Sequence, residues 1–263
     1  MAASGKELKD MKRAFGVGIM CVLAVGSAQA VIVNGGFETG DFTGWTTFDG
    51  TDTFVVDNTA GSGPTEGNYQ AAILTPTDEL FNITGLNQFL GLNFIDPTFL
   101  TLGNGFPIEG AAIQQTFYAE AGDVISFDYN FFDNDCPDPS VIPPEIPIIG
   151  GGMIDNNFAF VSIGGSVGEL ADAFDANTIS STVFDRETGW GTWSYVVPVA
   201  GFYTLSIGVV DVIPANLHGY GDEAAMLVDN VQQLTIVPEP ASLSLLGLGL
   251  GGLVLQRMRR RVR

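Results

Sequence analysis

Residues 123–132, DVISFDYNFF, place Ile125, Phe127, Tyr129 and Phe131 on every second position. Only an extended strand puts such residues on one face. Similar runs, bounded by Gly, Asp, Asn and Pro, recur through the chain and predict further strands. The predicted strands lie near 31–37, 44–48, 52–57, 69–74, 111–118, 123–132, 157–163, 190–198, 202–212 and 224–236. No helix is predicted between them, so the pattern favours an all-β antiparallel sandwich in one domain over residues 31–236.

The charge of this body restricts its partners. Residues 31–236 contain 27 Asp and Glu residues and one basic residue, Arg186, which gives a formal charge of −26. Nucleic acids and anionic membranes are bound through Lys and Arg, so the body is expected to repel both. Its abundant Phe, Val, Ile and Leu are sufficient for one sizeable core, and the excess of carboxylates favours divalent cations.

The N-terminus has the pattern of a secretory signal peptide. Residues 11–30, MKRAFGVGIMCVLAVGSAQA, combine a basic start, a short apolar centre and a small-residue cleavage site at Ala28 and Ala30. We therefore predict that residues 1–30 are a signal peptide with a helical apolar centre, which directs the chain out of the cytoplasm. An ordinary buried helix is the alternative.

The C-terminus has the pattern of a short membrane anchor. Residues 241–255 are uncharged and would form a helix of about 22 Å, against a bilayer core of about 30 Å. Arginines follow this run, and by the positive-inside rule they remain in the cytoplasm and stop transfer. They are Arg257, Arg259, Arg260, Arg261 and Arg263. This orientation predicts a short transmembrane helix with the acidic body outside the cytoplasm.

A Pro-Glu-Pro triplet precedes the apolar run. Together with the run and the arginines, Val237, Pro238, Glu239 and Pro240 give a three-part pattern that resembles the PEP-CTERM sorting signal. The resemblance implies processing of this stretch by a membrane-embedded exosortase of a Gram-negative bacterium. It also implies a transient inner-membrane precursor, later cell-surface or extracellular localisation, and association with exopolysaccharide. A plain tail anchor with accidental prolines is the alternative.

Both ends of the body resemble a known fold. The opening stretch VNGGFETGDFTGWTTFDG and the last strand AAMLVDNVQQLTI are similar to the galactose-binding-like jelly roll of many carbohydrate-binding modules. In that fold the chain ends meet and a structural calcium often ties them. The resemblance implies calcium bound by the Gly36 carbonyl and by the side chains of Glu38 and Asp229, with Glu66 as a further candidate ligand. Alternatively, Glu38 and Asp229 are solvated or accept backbone hydrogen bonds.

Sugar binding requires exposed aromatic rings beside polar groups. Candidates for such a site are Trp190, Trp193, Tyr118 and Tyr220. Each of these rings could instead pack in the core, as we expect for Trp45. The sequence alone therefore defines candidates for a sugar-binding face without assembling them into one.

Catalysis has little support in the sequence. There is one histidine, His218, and no HExxH motif. A carboxylate pair could hydrolyse a glycoside, but among so many carboxylates the presence of a pair is not specific. We predict a non-enzymatic exported protein that binds exopolysaccharide or another surface glycan. A purely structural surface or adhesion protein without a sugar site is the alternative, and a glycan-cleaving enzyme is a more distant one.

Overall fold

The computed structural model describes residues 31–48, 50–76, 82–92, 106–134, 156–213 and 224–235. The predicted signal peptide, the segment 237–263 with its apolar run 241–255, and Tyr220 lie outside these residues. Within the described ranges, no helix is both long enough and apolar enough to cross a membrane.

The described residues form twelve strands and one α-helix. In chain order these are β1 (Thr46–Phe48), β2 (Thr53–Val56), β3 (Gln70–Leu74), α1 (Ile83–Phe89), β4 (Phe106–Ala119), β5 (Val124–Asp133), β6 (Phe158–Ile163), β7 (Ser166–Asp172), β8 (Thr178–Ile179), β9 (Arg186–Glu187), β10 (Gly191–Val196), β11 (Gly201–Ile213) and β12 (Ala224–Leu234). Sheet A has the strand order β1-β4-β11-β6-β7. Sheet B has the order β2-β3-β12-β5-β9-β8, and β10 also pairs with β5. The antiparallel pairing in both sheets confirms the predicted all-β sandwich.

The main hydrophobic core lies between the two sheets. Phe117 of β4, Phe127 and Phe131 of β5, and Ile207 of β11 are fully buried there. Side chains of a strand alternate between its faces, so the period-two spacing of residues 123–132 sends one set of side chains into the core. Burial of each large apolar side chain contributes about 1.5–3 kcal/mol to folding.

Helix α1 covers part of the outer face of sheet A. Leu86 is fully buried there in a second apolar cluster, together with Phe158, Phe160 and neighbouring residues. Gly110 lies directly beneath Leu86, and a Cβ at that position would lie 2.9 Å from a Leu86 methyl carbon. The start of the helix is fixed by Asn82, which accepts from the Gly110 N–H at 2.9 Å and donates to its carbonyl at 3.1 Å. Away from the helix, Thr116, Phe202 and Thr204 of this outer face are exposed.

The structure corrects two sequence predictions. Residues 31–37 form no strand, because Asn34 and Phe37 have φ angles of 52° and 55°, in the left-handed region that a strand excludes. Helix α1 interrupts a body that was expected to have no helices. Its sequence, ITGLNQF, contains a central glycine and has low intrinsic helix propensity, so tertiary packing stabilises it. The sequence pattern also does not predict the strands β7, β8 and β9.

Candidate functional site

The N-terminal segment of the body packs against β12, so the two ends of the body meet. The Val231 N–H donates to the Gly35 carbonyl at 2.9 Å. A side chain at Gly35 would overlap the Val231 carbonyl oxygen, so only glycine permits this approach. Phe37 and Trp45, whose ring centroids are 5.6 Å apart, fix the segment to the main core. We call this contact region the chain junction.

Asp229, a predicted calcium ligand, is fully buried at the chain junction. Its Oδ2 accepts hydrogen bonds from the backbone N–H groups of Thr65 at 2.7 Å and Glu66 at 2.8 Å, and its Oδ1 accepts from the Asn230 N–H at 2.6 Å. Burial raises the pKa of Asp229, because the charged form loses its hydration, although these hydrogen bonds act in the opposite direction. The Asp229 carboxylate therefore attaches the loop around Thr65 to β12.

A second aspartate, Asp128, is the register partner of Asp229 on β5. The Thr65 hydroxyl lies 2.8 Å from Asp128 Oδ2 and 3.1 Å from Asp229 Oδ2. Burial acts to raise the pKa of Asp128, but hydrogen bonds from Thr192, Asn230 and Thr65 outweigh it, and the pKa lies below its ordinary value. The sequence prediction missed Asp128, because a polar residue on an alternating strand is normally solvated, and it missed Thr65, which lies in the loop before β3.

The side chains of Glu38 and Glu66 both lie close to Gly36. Glu38 Oε1 accepts from the backbone N–H groups of Asn68 at 2.7 Å and Tyr69 at 2.8 Å, and its Oε2 accepts from the Asn68 side chain at 3.3 Å. The bonds from Tyr69 and Asn68 hold the pKa of the exposed Glu38 below its ordinary value. The Glu66 carboxylate lies against Gly36, where a Cβ would be 2.9 Å from Oε2. Glu38 therefore fastens the turn before β3 to the N-terminal segment.

The four predicted calcium ligands thus lie around the same junction. A backbone carbonyl and carboxylates are the oxygen donors that calcium prefers, so the chemistry of Gly36, Glu38, Glu66 and Asp229 is compatible with the ion. Glu38 and Asp229 also accept backbone hydrogen bonds, as the alternative interpretation expects. Among the described residues, however, Glu38, Glu66 and Asp229 do not each place an oxygen within 4.8 Å of the others, so a shared cation would require these side chains to move closer together. Calcium at the junction remains a prediction.

Another group of carboxylates lies on β7 and in the turn after it. Glu169, Asp172 and Asp175 each place an oxygen within 4.8 Å of the others. Asp172 accepts from the Phe174 N–H at 2.9 Å and from the Asn156 side chain at 3.0 Å, so it also closes the turn. The sequence prediction did not single out this group.

Two of the predicted sugar-binding aromatic residues pack against the protein itself. Trp193 stacks on Tyr195 with ring centroids 6.1 Å apart, and it lies 5.1 Å from Phe127 of the main core. Trp190 packs against a separate apolar cluster of sheet B. Tyr220 lies outside the described residues. Trp190 and Trp193 therefore pack in different apolar clusters and form no common exposed pair.

Tyr118 lies on the open part of the outer face of sheet A. It is the register partner of Phe202 on β11, and the two rings meet edge to face with centroids 5.4 Å apart. Phe202 is 75% exposed. This pair presents aromatic surface to solvent beside the exposed residues Thr116 and Thr204.

Hydroxyl and amide groups continue from the aromatic pair across the same face. The next row is Thr116 and Thr204, whose hydroxyl oxygens are 2.7 Å apart, and the row after it is Gln114, Ser206 and Ser162. Register partners in antiparallel strands point to the same face, so these side chains share the outer face of sheet A, where Thr116 and Thr204 are exposed and Ser162 and Ser206 are buried. We call Tyr118, Phe202, Thr116, Thr204, Gln114, Ser206 and Ser162 the sheet A platform.

A groove of about 680 Å³ adjoins this platform, and the platform residues in its described lining are Phe202, Thr204, Ser206 and Ser162. Its walls include Leu90 and Leu92, which follow α1, and the Gly164–Gly165 turn between β6 and β7. Phe202 and Thr204 contribute to its floor, and among the described residues its lining includes no carboxylate, histidine or cysteine. The groove therefore combines apolar walls with an aromatic and hydroxyl-rich floor.

The platform has a sequence signal that the prediction did not use. In GFYTLSIG, residues 201–208, Phe202 alternates in phase with Thr204 and Ser206, whereas Tyr203 and Leu205 alternate in the opposite phase. A large aromatic residue in the polar phase of an alternating strand indicates an exposed ring. The prediction treated aromatic residues singly, without assigning each one to a face of its strand.

A second groove, of about 600 Å³, lies beside the chain junction. Asn58, Asn68 and Tyr69 are among its lining residues, and Tyr69 is the one large aromatic side chain among those that the structure describes there. Its floor is formed by turns rather than by a sheet. It is therefore a natural comparison site for any binding experiment on the sheet A platform.

One sequence in the groove wall matches a catalytic pattern. Residues 164–168, GGSVG, fit the GxSxG pattern of serine hydrolases. In those enzymes the serine sits on a sharp turn from a strand to a helix, whereas here the residues form the hairpin between β6 and β7. The match therefore does not form a nucleophile elbow.

Comparison with solved structures gives distant similarities. They include TmCBM61 in complex with β-1,4-galactotriose, at 14% identity and a TM-score of 0.37, covering 78% of this chain and 97% of that one. They also include TmCBM27, a carbohydrate-binding module described with specific mannan recognition, at 13% identity and a TM-score of 0.34, covering 80% and 100%. The K2 cleaved adhesin domain of Lys-gingipain matches at 10% identity and a TM-score of 0.34, covering 80% and 97%. At these scores the likenesses support no argument about a ligand.

Sequence comparison identifies a known family motif in the C-terminal segment. None of the curated proteins compared with the chain matches it. Residues 237–261 match the model of the PEP-CTERM protein-sorting motif. They include the Pro-Glu-Pro triplet, the apolar run and four of the five arginines of the tail. The chain therefore carries a PEP-CTERM protein-sorting motif at residues 237–261.

Proposed function

We propose that this protein is exported, processed by an exosortase and delivered to the surface or extracellular matrix of a Gram-negative bacterium, where its body binds a glycan without cleaving it. The sorting motif at residues 237–261 supports the export and processing. The arginines after the apolar run would keep the precursor in the inner membrane, with the acidic body outside the cytoplasm.

We further propose that the sandwich is a jelly roll of the galactose-binding-like type. The support is the strand order, since β3-β12-β5-β10 and β4-β11-β6-β7 form two four-stranded layers. The chain passes between the layers from β3 to β4, from β4 to β5 and from β5 to β6, then from β7 through β8 and β9 to β10, from β10 to β11 and from β11 to β12. Eight strands connected in this way give the two Greek keys of a jelly roll.

The observation that carries the glycan-binding proposal is the sheet A platform. A sugar ring has an apolar face of C–H groups, which stacks on an aromatic ring, and hydroxyl groups, which need hydrogen-bond partners. Phe202 and Tyr118 supply the rings, and Thr116 and Thr204 supply hydroxyl groups on the next row. The groove is open along the sheet, so a chain of sugars rather than a single small molecule suits it.

The chemistry of the groove also favours binding over cleavage. General acid–base catalysis of glycoside cleavage requires a pair of titratable groups at the bond that breaks. The described lining of the groove contains no carboxylate or histidine that could fill either role. We therefore propose a binding module that is not an enzyme.

We propose that the body binds calcium as a structural ion. The chain junction gathers Glu38, Glu66 and Asp229, whereas the body has one basic residue to offset its carboxylates. A divalent cation near Glu66 would reduce the repulsion between these groups and tie the N-terminal segment to β12. Its role would be stability rather than contact with the glycan.

The test is a glycan array on residues 31–236, with calcium and with chelator, followed by titration of the best ligand. Phe202→Ala should weaken binding at least about tenfold, which corresponds to about 1.4 kcal/mol. Tyr69→Ala, in the second groove, should leave the affinity unchanged.

The outcomes separate the alternatives. Loss of binding in Tyr69→Ala with retention in Phe202→Ala would move the site to the second groove. The absence of binding to every glycan by a folded body would favour the structural surface or adhesion protein. Release of reducing ends during incubation would show the enzyme that we do not expect.

A further inference from the structure

One end of the sandwich has exposed apolar side chains on both sheets. At this end of sheet B, Val196 of β10, Val124 of β5 and Leu234 of β12 are register partners in a single row. Val196 is 63% exposed and Leu234 is 53% exposed. Because register partners share a face, the row forms an apolar strip across the three strands.

The same end of sheet A continues the apolar surface. Val199, in the turn between β10 and β11, is 66% exposed, and Phe202 begins the outer face of β11. The turn is held by the Tyr203 hydroxyl, which donates to the Val199 carbonyl at 2.7 Å. We call Val196, Val199, Phe202 and Leu234 the apolar collar.

Few charges accompany this collar, although the body as a whole is strongly acidic. The turns at 163–166 and 197–200 contain no charged residue. The turn between β4 and β5 contains Glu120 and Asp123, and Asp123 is buried. Its carboxylate accepts from the Glu120 N–H at 2.9 Å and from the Gln233 side chain at 2.8 Å. This end can therefore approach an apolar phase without placing a cluster of carboxylates in it.

The chain leaves the sandwich at the collar. Thr235 directly follows Leu234, and the apolar run of the sorting motif begins at Ala241. Six Cα-to-Cα steps of at most about 3.6 Å span about 20 Å, even when fully extended. While that run is in the inner membrane, the end with the collar must lie within about 20 Å of it.

We infer that the apolar collar rests on the lipid–water interface of the inner membrane while the precursor is anchored. Exposed apolar side chains gain from insertion at this interface, where they leave water without a need for partners. The rest of the body is acidic and would be repelled by anionic lipid, so it would turn away from the surface. The body would thus stand end-on, with β12 leading into the sorting motif. The inference rests on the sorting part of the proposed function and is independent of glycan binding.

The experiment uses the full chain in phosphatidylcholine vesicles. Cys21 and Cys136 are replaced by Ser, and a nitrobenzoxadiazole label is placed on Val199→Cys. The matched control is Val183→Cys. Val183 is 91% exposed between β8 and β9, and β9 pairs with Phe132 and Asp133 at the far end of β5. The measurements are quenching by nitroxide-labelled lipid and by iodide in the water.

We expect the label at position 199 to be quenched by the lipid at least twofold more than the label at position 183, and iodide to give the reverse order. Adding Val196→Glu and Leu234→Glu to the Val199→Cys chain should remove this difference, while its melting temperature stays close to that of the parent.

Equal quenching at the two positions would overturn the inference. So would a lipid signal that persists in the double glutamate variant, or a chain that fails to float with the vesicles. None of these results bears on the glycan array, because Phe202 is unchanged in every variant.

Discussion

Asp128 of β5 and Asp229 of β12 face each other across neighbouring strands, and the hydroxyl of Thr65 contacts both of their carboxylates. One O–H can donate to only one carboxylate at a time, so the surrounding N–H and O–H groups decide which of the two is stabilised as an anion. Burial raises the pKa of Asp229, whereas the hydrogen bonds at Asp128 outweigh burial and lower its pKa. The pKa values of these two adjacent carboxyl groups are therefore shifted in opposite directions.

Replacing Asp128 with Asn should change how stability depends on pH. Because the folded pKa of Asp128 is lowered, its ionised form stabilises the fold above the ordinary value of about 3.9, and this contribution is lost as pH falls through the folded pKa. The wild type should therefore have a higher free energy of unfolding than Asp128→Asn near pH 5. This difference should shrink as the pH falls to about 3. Urea denaturation at several pH values measures this difference.

Asp229→Asn is the matched control for that experiment. The folded pKa of Asp229 is raised, so its ionisation costs stability as pH rises from the ordinary value through the folded pKa, and the cost is absent below both values. Relative to Asp229→Asn, the wild type should lose stability with rising pH over that window. If the free energy of unfolding of both variants changed with pH in the same way as that of the wild type, the opposite pKa shifts of Asp128 and Asp229 would be contradicted.

Gly35→Ala should destabilise the chain junction by about 3 kcal/mol, because the new methyl group would overlap the Val231 carbonyl and force the backbone of the N-terminal segment away. Gly201→Ala is the control, since nothing lies within 4 Å of a Cβ there. It should change the free energy of unfolding by less than about 1 kcal/mol. Urea denaturation of both variants gives the comparison, and similar losses in the two would show that the contact is unimportant.

Calcium should raise the melting temperature of residues 31–236 by several degrees over the value in chelator, and Glu66→Gln should abolish that increase. The physical reason is that Glu66 is the carboxylate beside Gly36 at the junction, where an ion would tie the two ends of the body. Glu169→Gln alters the other acidic group and should keep the increase. An increase lost in Glu169→Gln but kept in Glu66→Gln would place the ion on β7 instead.

Replacing Glu239 and Pro240 with Ala should trap the precursor in the inner membrane, because both residues belong to the matched sorting motif. Cell fractionation and immunoblotting would show a full-length species in place of the processed one. Ser242→Ala, two residues beyond the Pro-Glu-Pro triplet, is the control and should be released normally. Normal release of the Glu239 and Pro240 variant would refute processing at this stretch.

Local patterns were sufficient to predict much of the sandwich. The alternation in residues 123–132 identified β5, since one buried face requires a period of two. The Gly-rich opening stretch was wrongly predicted to be a strand, because Asn34 and Phe37 take left-handed conformations that the alternation of residues does not indicate. Helix α1 depends on Gly110, which is 25 positions away from Gly85 in its middle, and no local pattern includes that contact.

The candidate sites were harder to predict from local sequence patterns than the strands were. Glu38, Glu66 and Asp229 were placed at one junction by likeness to a fold, whereas Thr65 and Asp128 were found only from the register of β5 with β12. Trp193 and Phe202 are both aromatic residues in alternating strands, yet one packs on Phe127 and the other is exposed. Whether such a ring is buried depends on which face of its strand packs against the opposite sheet. That is determined by the whole fold and not by the local sequence.

The last two strands of the sequence are central strands of the sandwich. β11 lies between β4 and β6, and β12 lies between β3 and β5. Neither sheet can close before these strands arrive, and the contact between Asp229 and Thr65 joins residues 164 positions apart. Folds dominated by such long-range pairings form slowly. A chain that crosses a membrane from its N-terminus would therefore stay unfolded until β12 has emerged, so completion of the fold and arrival of the sorting motif would coincide in time.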